Sequence, residues 1–290
     1  MTSAPNDLCV LADPYLRAYQ VRSLENAVAE LGIDISLVVV SNPDAPDIDP
    51  ELKASAANGR IGFATVRAFT NYLLRERAWA LVYAEKKITE QFGADFPSTN
   101  RVPVEAVSCF SDAEIRHVTP ITDGNWIELP SPTVDLIEAN CDVAVRFGFG
   151  LIAGDVLSAP EYGVLSFHPA DIRRYRGLGT PQAWIDDRDT IGVTLQQLTE
   201  EIDGGRIVAC GETDVTECPT LWEAYENVYD LFPTVLVEGL ENLRDPSFEP
   251  VEPDSLGPYY PTQSRQSISF AGRTLLKNVK GRAGSSLSTR

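Results

Sequence analysis

A short apolar run, a helix-spaced segment and a second apolar run open this chain, and that order restricts the fold more than any other feature. Residues 8–12 (Leu-Cys-Val-Leu-Ala) end in Asp-Pro and predict a strand. Residues 15–31 place Leu16, Tyr19, Val21, Leu24, Ala27, Val28 and Leu31 at helical spacing, and Gly32 suits the helix end. Residues 35–40 read as a second buried strand. Strand, helix and strand in that order predict parallel strands with a crossover helix, because parallel neighbours cannot be joined by a tight turn.

The pattern continues downstream. Residues 42–50 form a Pro/Asp-rich loop. Residues 61–92 show helical periodicity, with Phe63, Val66, Phe69, Tyr72 and Leu73 on one side, and a break follows at 96–103. A helix is expected over 133–140, and core strands over 142–147 and 163–167. Residues 192–198 alternate Val193 and Leu195 with polar neighbours, so an edge or half-exposed strand is expected there, with another strand at 206–210. Residues 220–243 predict one long amphipathic helix that Pro233 and Gly239 interrupt, its Trp222, Tyr225 and Tyr229 stripe being helix packing. A Pro-rich stretch, 246–261, leads into the tail.

Charge narrows the function classes. The chain has 24 Lys+Arg against 42 Asp+Glu, a net charge of −18. Such a body does not bind a polyanion tightly, because neutralising phosphates needs basic patches. The acid excess fits a basic substrate or a solvated surface adapted to high intracellular salt. The scarcity of lysine (Lys53, Lys86, Lys87, Lys277, Lys280) favours the second, halophile-like reading. The five cysteines are odd in number and lack C-x-x-C spacing, so neither a disulfide framework nor a cysteine zinc site is expected. With no signal-peptide core and no apolar run of membrane-spanning length, a cytoplasmic protein without stable membrane insertion is expected. The last stretch, 261–290, carries six basic residues and no acidic one. It is expected to dock onto its own body or onto a second copy in a homodimer. A membrane-surface helix, with Phe270, Leu275, Leu276 and Val279 sharing a face, is the competing reading.

Of two histidines, His117 and His168, the second has the stronger setting. In Gly-Val-Leu-Ser-Phe-His-Pro (163–169) a buried strand runs into a His-Pro step, which places the imidazole at the carboxyl end of a sheet strand. Ligands of open α/β sheets collect there. Downstream, Asp203-Gly-Gly sits in a turn between two strands, where backbone can approach a ligand. An imidazole and a carboxylate from neighbouring strand ends form an acid/base pair around one carbonyl.

Taken together, residues 163–177, then Ile-Gly-Val-Thr-Leu (191–195) and Asp-Gly-Gly-Arg-Ile (203–207), resemble the catalytic domain of the 10-formyltetrahydrofolate-dependent formyltransferases. That superfamily includes phosphoribosylglycinamide, methionyl-tRNA and amino-sugar N-formyltransferases. The resemblance covers roughly residues 133–208. It implies a Rossmann-like α/β fold, a mostly parallel sheet with crossover helices, over residues 1–215. A helical and irregular C-terminal extension over 216–290 follows.

The resemblance also implies roles. His168 and Asp203 match the family histidine and aspartate. Ser166 stands where asparagine is usual, so a shorter hydroxyl replaces an amide donor, and an asparagine at 166 is expected to serve at least as well. Phe149, Gly150, Leu151 and Ile152 match the backbone stretch that recognises the pterin, and the loop holding Thr199, Ile202 and Asp203 covers it. Arg176 and Gly177 match the Arg-Gly that closes the substrate loop. The implied reaction moves a formyl group from 10-formyltetrahydrofolate to a primary amine. By elimination among subfamilies the acceptor is a small molecule such as an amino sugar. No metal and no nucleic acid partner are expected. Two alternatives remain open: a 10-formyltetrahydrofolate hydrolase, and a non-catalytic binding homologue in which Ser166 marks lost activity.

Other constellations point less far. The Gly-rich stretch 148–154 mimics a dinucleotide loop but has no well-placed acidic ribose partner. Ser166 and His168 lack the Gly-x-Ser-x-Gly elbow of a hydrolase.

Overall fold

The structure is a computed structural model that describes residues 4–42 and 73–288. The Pro/Asp-rich loop from residue 43 onward and the 61–72 part of the helical reading, with Phe63, Val66, Phe69 and Tyr72, lie outside the described residues.

The strands in chain order are β1 (Asp7–Ala12), β2 (Tyr15–Arg17), β3 (Asp34–Ser41), β4 (Arg101–Pro103), β5 (Glu114–Val118), β6 (Ile121–Asp123), β7 (Trp126–Glu128), β8 (Val143–Arg146), β9 (Leu151–Ile152), β10 (Val164–His168), β11 (Arg176–Gly177), β12 (Thr190–Gln197), β13 (Arg206–Asp214) and β14 (Tyr259–Tyr260). The helices are α1 (Ala18–Leu31), α2 (Trp79–Gln91), α3 (Ser131–Asn140), α4 (Thr180–Ile185), α5 (Leu221–Asp230), α6 (Phe232–Arg244) and α7 (Ile268–Ser288).

A seven-stranded sheet, in the order β13-β12-β10-β8-β1-β3-β5, organises the α/β fold. Strands β10, β8, β1, β3 and β5 are mutually parallel, and β12 and β13 are antiparallel additions beside β10. The opening unit is as expected, except that residues 15–17 form the short β2 against β4 before α1 begins. Gly32 closes α1 in the left-handed conformation, its N–H bonding the Val28 carbonyl. Strand β5, which carries His117, has only part-buried and exposed residues and escaped the sequence reading.

Two expectations are corrected. Strand β12 is neither an edge nor half exposed: Ile191 to Gln196 are all buried, and β13 lies outside it. The expected helix over 220–243 is two helices, α5 and α6, with Pro233 tolerated in the first turn of α6.

Helix α6 covers β12 and β13 with Val235, Leu236 and Leu240. Each such side chain stabilises by about 1.5–3 kcal/mol on burial. A Cβ at Gly239 would come within 2.4 Å of Leu195 Cδ2, so glycine permits this close approach. Tyr229 of α5 stacks on Tyr19 of α1 at 4.1 Å, which is where the aromatic stripe packs.

By its contacts the chain divides into two units. One takes the described residues of 1–42, with 96–218 and 223–260. Residues 223–260 thus group with the sheet, although the sequence suggested a division near 215. Here the Pro-rich stretch is tied down, for Ile207 and Val251 exchange backbone hydrogen bonds of 2.7 and 2.8 Å.

The second unit takes the described residues of 43–95 and 261–290, with 219–222. In it the basic tail packs on α2 and not on a membrane-facing stripe. Phe270 is buried 5.9 Å from the Trp79 ring, whereas Leu276 and Val279 are exposed, so the four apolar residues share no single face. Arg265 pairs with Glu76 at 3.2 Å and Arg282 with Glu85 at 3.0 Å. Among the described residues no helix is long and apolar enough to cross a membrane.

Candidate active site

Strand β10 reads Val-Leu-Ser-Phe-His, and its period of two puts Ser166 and His168 on one face of the sheet. Phe167 points the other way and stacks on Phe232 at 4.3 Å. Ser166 and His168 are 1% and 3% exposed. Beyond Pro169 the chain turns back on itself. Thr180 Oγ1 donates to the Pro169 carbonyl at 2.6 Å, and Thr194 Oγ1 to the Ala170 carbonyl at 2.9 Å. This turn brings the Tyr175 carbonyl to 3.0 Å from His168 Nε2.

The other ring nitrogen, Nδ1, lies 3.3 Å from Asp203 Oδ1. Asp203 sits on the connection between β12 and β13 with φ +47°, a left-handed conformation that Asp tolerates better than most residues. Its Oδ2 accepts the Gly177 N–H at 2.8 Å. Both ring nitrogens of His168 therefore face oxygens that only accept, so an N–H on either one has a partner. Burial pushes the Asp203 carboxyl up. The hydrogen bond and charge of His168, the Gly177 N–H and the Arg146 charge outweigh it and hold the carboxyl below its ordinary value.

Arg176 braces this loop. Its Nη1 contacts Glu201 Oε1 at 2.7 Å and the Ile202 carbonyl at 3.3 Å, and its Nε donates to the Gly257 carbonyl at 3.0 Å. Thr199 Oγ1 accepts the Glu201 N–H at 3.3 Å. Gly177 has φ +77°, and a Cβ there would lie 2.1 Å from the Tyr260 carbonyl oxygen.

The turn after β8 is tight. Phe149 has φ +64° and is 2% exposed, a conformation costing about 1–3 kcal/mol for a bulky residue. Its N–H is held by Asp13 Oδ1 at 3.1 Å. Gly148 packs so closely that a Cβ would stand 2.3 Å from the Asp13 nitrogen. Leu151 and Ile152 then form β9, at the edge of the three-stranded sheet β6-β7-β9. One row of β9 backbone groups thus has no strand partner in that sheet among the described residues.

Sequence reasoning missed Arg146. It ends β8 directly opposite Ser166 on β10. Its Nε and Nη2 donate to Ser166 Oγ at 3.1 and 2.7 Å, and its Nη1 donates to the Gly150 carbonyl. One guanidinium thus links the serine beside His168 to the turn at 149–152. Burial lowers its pKa, and the charges of Asp203 and Asp13 oppose that. The signal was an arginine closing a strand that is otherwise Val-Ala-Val.

Residues 131–240 match the family model described as Formyl transferase. Over that stretch, which is less than half of the chain, the protein is similar to the formyltransferases. All of β10, β11, β12 and the Asp203 loop fall inside the formyltransferase match. A methionyl-tRNA formyltransferase of Pseudoalteromonas translucida (strain TAC 125) is 25% identical over 174 residues, covering 59% of this chain and 54% of that protein. The chain therefore spans about half the length of that curated relative. Among solved structures, a sugar N-formyltransferase from Shewanella sp FDAARGOS_354 shares the fold with a TM-score of 0.54 at 12% identity, over 94% of this chain and 87% of that one. An N-formyltransferase from Helicobacter canadensis, in complex with folinic acid and dTDP-3-aminofucose, does so with a TM-score of 0.53 at 13% identity, over 93% and 79%.

Proposed function

We propose that this protein transfers a formyl group from 10-formyltetrahydrofolate to a primary amine of a small substrate such as an amino sugar. The observation that carries the proposal is the His168–Asp203 couple at the carboxyl end of β10, with Ser166 on the same face. The amine attacks the formyl carbon, the C–N bond forms and negative charge gathers on the formyl oxygen. His168 Nε2–H and the Ser166 hydroxyl donate to that oxygen, and the ring gives up the Tyr175 carbonyl to do so. Asp203 orients the ring, holds its charge and helps to take the amine proton, directly or through water. The folate nitrogen then leaves with a proton and the formyl C–N bond to it breaks.

The backbone of Phe149, Gly150, Leu151 and Ile152 would hold the pterin edge, and the open side of β9 suits that role. Thr199 and Ile202 lie on the loop that would cover it. Arg176 and Gly177 keep that loop and Asp203 in place at the substrate side. Named relatives include a methionyl-tRNA formyltransferase, but a net charge of −18 opposes tRNA binding. The sugar N-formyltransferases of the same fold suggest the acceptor class instead.

The test is calorimetric titration with a folate analogue, followed by a formyl-transfer assay over a panel of amines. Formylation of an amino sugar supports the proposal. Formate release without any amine identifies a hydrolase instead. Failure to bind any folate overturns the reading in favour of a non-catalytic homologue.

A further inference from the structure

Three strand ends place polar side chains in one row. Arg146 on β8 lies opposite Ser166 on β10, and Ser166 lies opposite Gln196 on β12. Residues directly opposite in a sheet point to the same face, so all three share the face of His168. Gln196 is used structurally: its Oε1 accepts the Gly205 N–H at 2.9 Å and so anchors the loop that carries Asp203. Arg146 also ties down the turn at 149–152 through the Gly150 carbonyl, but two of the three nitrogens it uses donate to the serine. A half-buried guanidinium is held where its N–H groups meet oxygens.

Two of those N–H groups converge on one atom, Ser166 Oγ. A serine hydroxyl has two acceptor sites and one donor proton. Both N–H groups reach Oγ from the same side, so the hydroxyl proton must point away from the guanidinium, as a donor. An unconstrained serine would rotate and could accept as readily as donate. Here the third side of the guanidinium is pinned by the Gly150 carbonyl, so the orientation of the hydroxyl is set before any ligand arrives. The bond is also charge-assisted, which polarises the O–H and strengthens what it donates.

We infer that Arg146 is a positioning residue that locks Ser166 as a hydrogen-bond donor to the formyl oxygen, the pair doing what a single amide would do beside His168. This rests on the formyl-transfer reading of the site. It also changes the expectation for residue 166. An asparagine added there alone meets the guanidinium that fills the space beside Oγ, so Ser166→Asn lowers activity unless Arg146 is removed with it.

The test compares the full-length protein binding 10-formyl-5,8-dideazafolate and 5,8-dideazafolate, which differ only in the formyl group. Wild type is expected to prefer the formylated compound. Arg146→Leu and Ser166→Ala each reduce that preference by about tenfold, and Ser166→Ala, which leaves the Gly150 carbonyl bonded, keeps affinity for the unformylated compound within about twofold. The double variant R146L/S166A is no worse than either single change, because the two residues act as one unit. Turnover falls by roughly 10²–10³-fold in each. R146L/S166N recovers preference and turnover relative to R146L, and S166N alone does not. Arg146→Gln gives the same comparison if Arg146→Leu does not fold, as judged by circular dichroism and melting.

If Arg146→Leu keeps the wild-type preference, or weakens both compounds equally, the inference is overturned while the functional reading stands. It is overturned in the same way if wild type binds both compounds equally. If wild type binds neither, the functional reading fails and this inference falls with it.

Discussion

The Gly177 N–H donates to Asp203 Oδ2 at 2.8 Å, so β11 is bonded to the same carboxylate whose other oxygen faces His168. The carboxylate is held between a backbone donor and an imidazole, and its position depends on a glycine that no side chain can replace. A Cβ at Gly177 would strike the Tyr260 carbonyl, and φ +77° is strained for any other residue.

Gly177→Ala is therefore expected to cost more than the ~1–3 kcal/mol of backbone strain alone, since the Cβ also displaces the Tyr260 carbonyl. It should also reduce turnover, because β11 and Asp203 shift together. Chemical denaturation and the formyl-transfer assay measure the two effects. Unchanged activity in a destabilised variant would separate Asp203 from β11.

Asp203→Asn keeps the size of the side chain and removes its charge. Turnover is expected to fall by about 10²–10⁴-fold. The stability effect has a definite sign with pH. Burial opposes the ionised form, but His168, Gly177 and Arg146 together hold the carboxyl below its ordinary value of 3.8. Its ionised form thus stabilises the native state fully above that value, and the contribution is lost as pH falls through the lowered one. Unfolding free energies of wild type and Asp203→Asn should differ most near neutrality, begin to converge as pH falls below about 3.8, and meet only below the lowered value. A gap that stays constant across this range would contradict the assignment.

At Gly239 two rules conflict. Alanine in a helix interior normally gains about 0.5–1 kcal/mol over glycine. Here its Cβ would press on Leu195, which is fully buried. Overpacking costs about 1–3 kcal/mol, so Gly239→Ala is expected to destabilise overall. A raised melting temperature would show that Leu195 has room to move.

In the second unit Glu85 accepts from Trp222 Nε1 at 2.7 Å and Asn278 Nδ2 at 3.1 Å, and pairs with Arg282. Glu85→Ala leaves these donors without their acceptor and is expected to cost about 3–5 kcal/mol. Helix α7 should then lose amide protection in hydrogen exchange. Retained protection would mean that Phe270 and Thr274 suffice to dock it.

Much of the sheet was legible because its strands are apolar on both faces. Residues 8–12 and 35–40 read as strands without reference to anything else, and the His-Pro step marked the carboxyl end of β10. The misreading of β12 has a physical cause. Thr194 and Gln196 alternate with Val193 and Leu195, a pattern that normally means one wet face. Those polar side chains are instead buried, bonding the Ala170 carbonyl and the Gly205 N–H that shape the two loops of the site. Arg146 was hidden for a related reason. Its meaning depends on lying opposite Ser166, and cross-strand register is not written in either segment alone.

The imidazole belongs to β10, but its carboxylate rides on the tip of the β12–β13 hairpin, a whole hairpin later in the chain. During synthesis the first therefore leaves the ribosome well before the second. On the proposed assignment, a chain that stops before the β12–β13 hairpin carries the imidazole without its carboxylate, so the couple is complete only once that hairpin has joined the sheet.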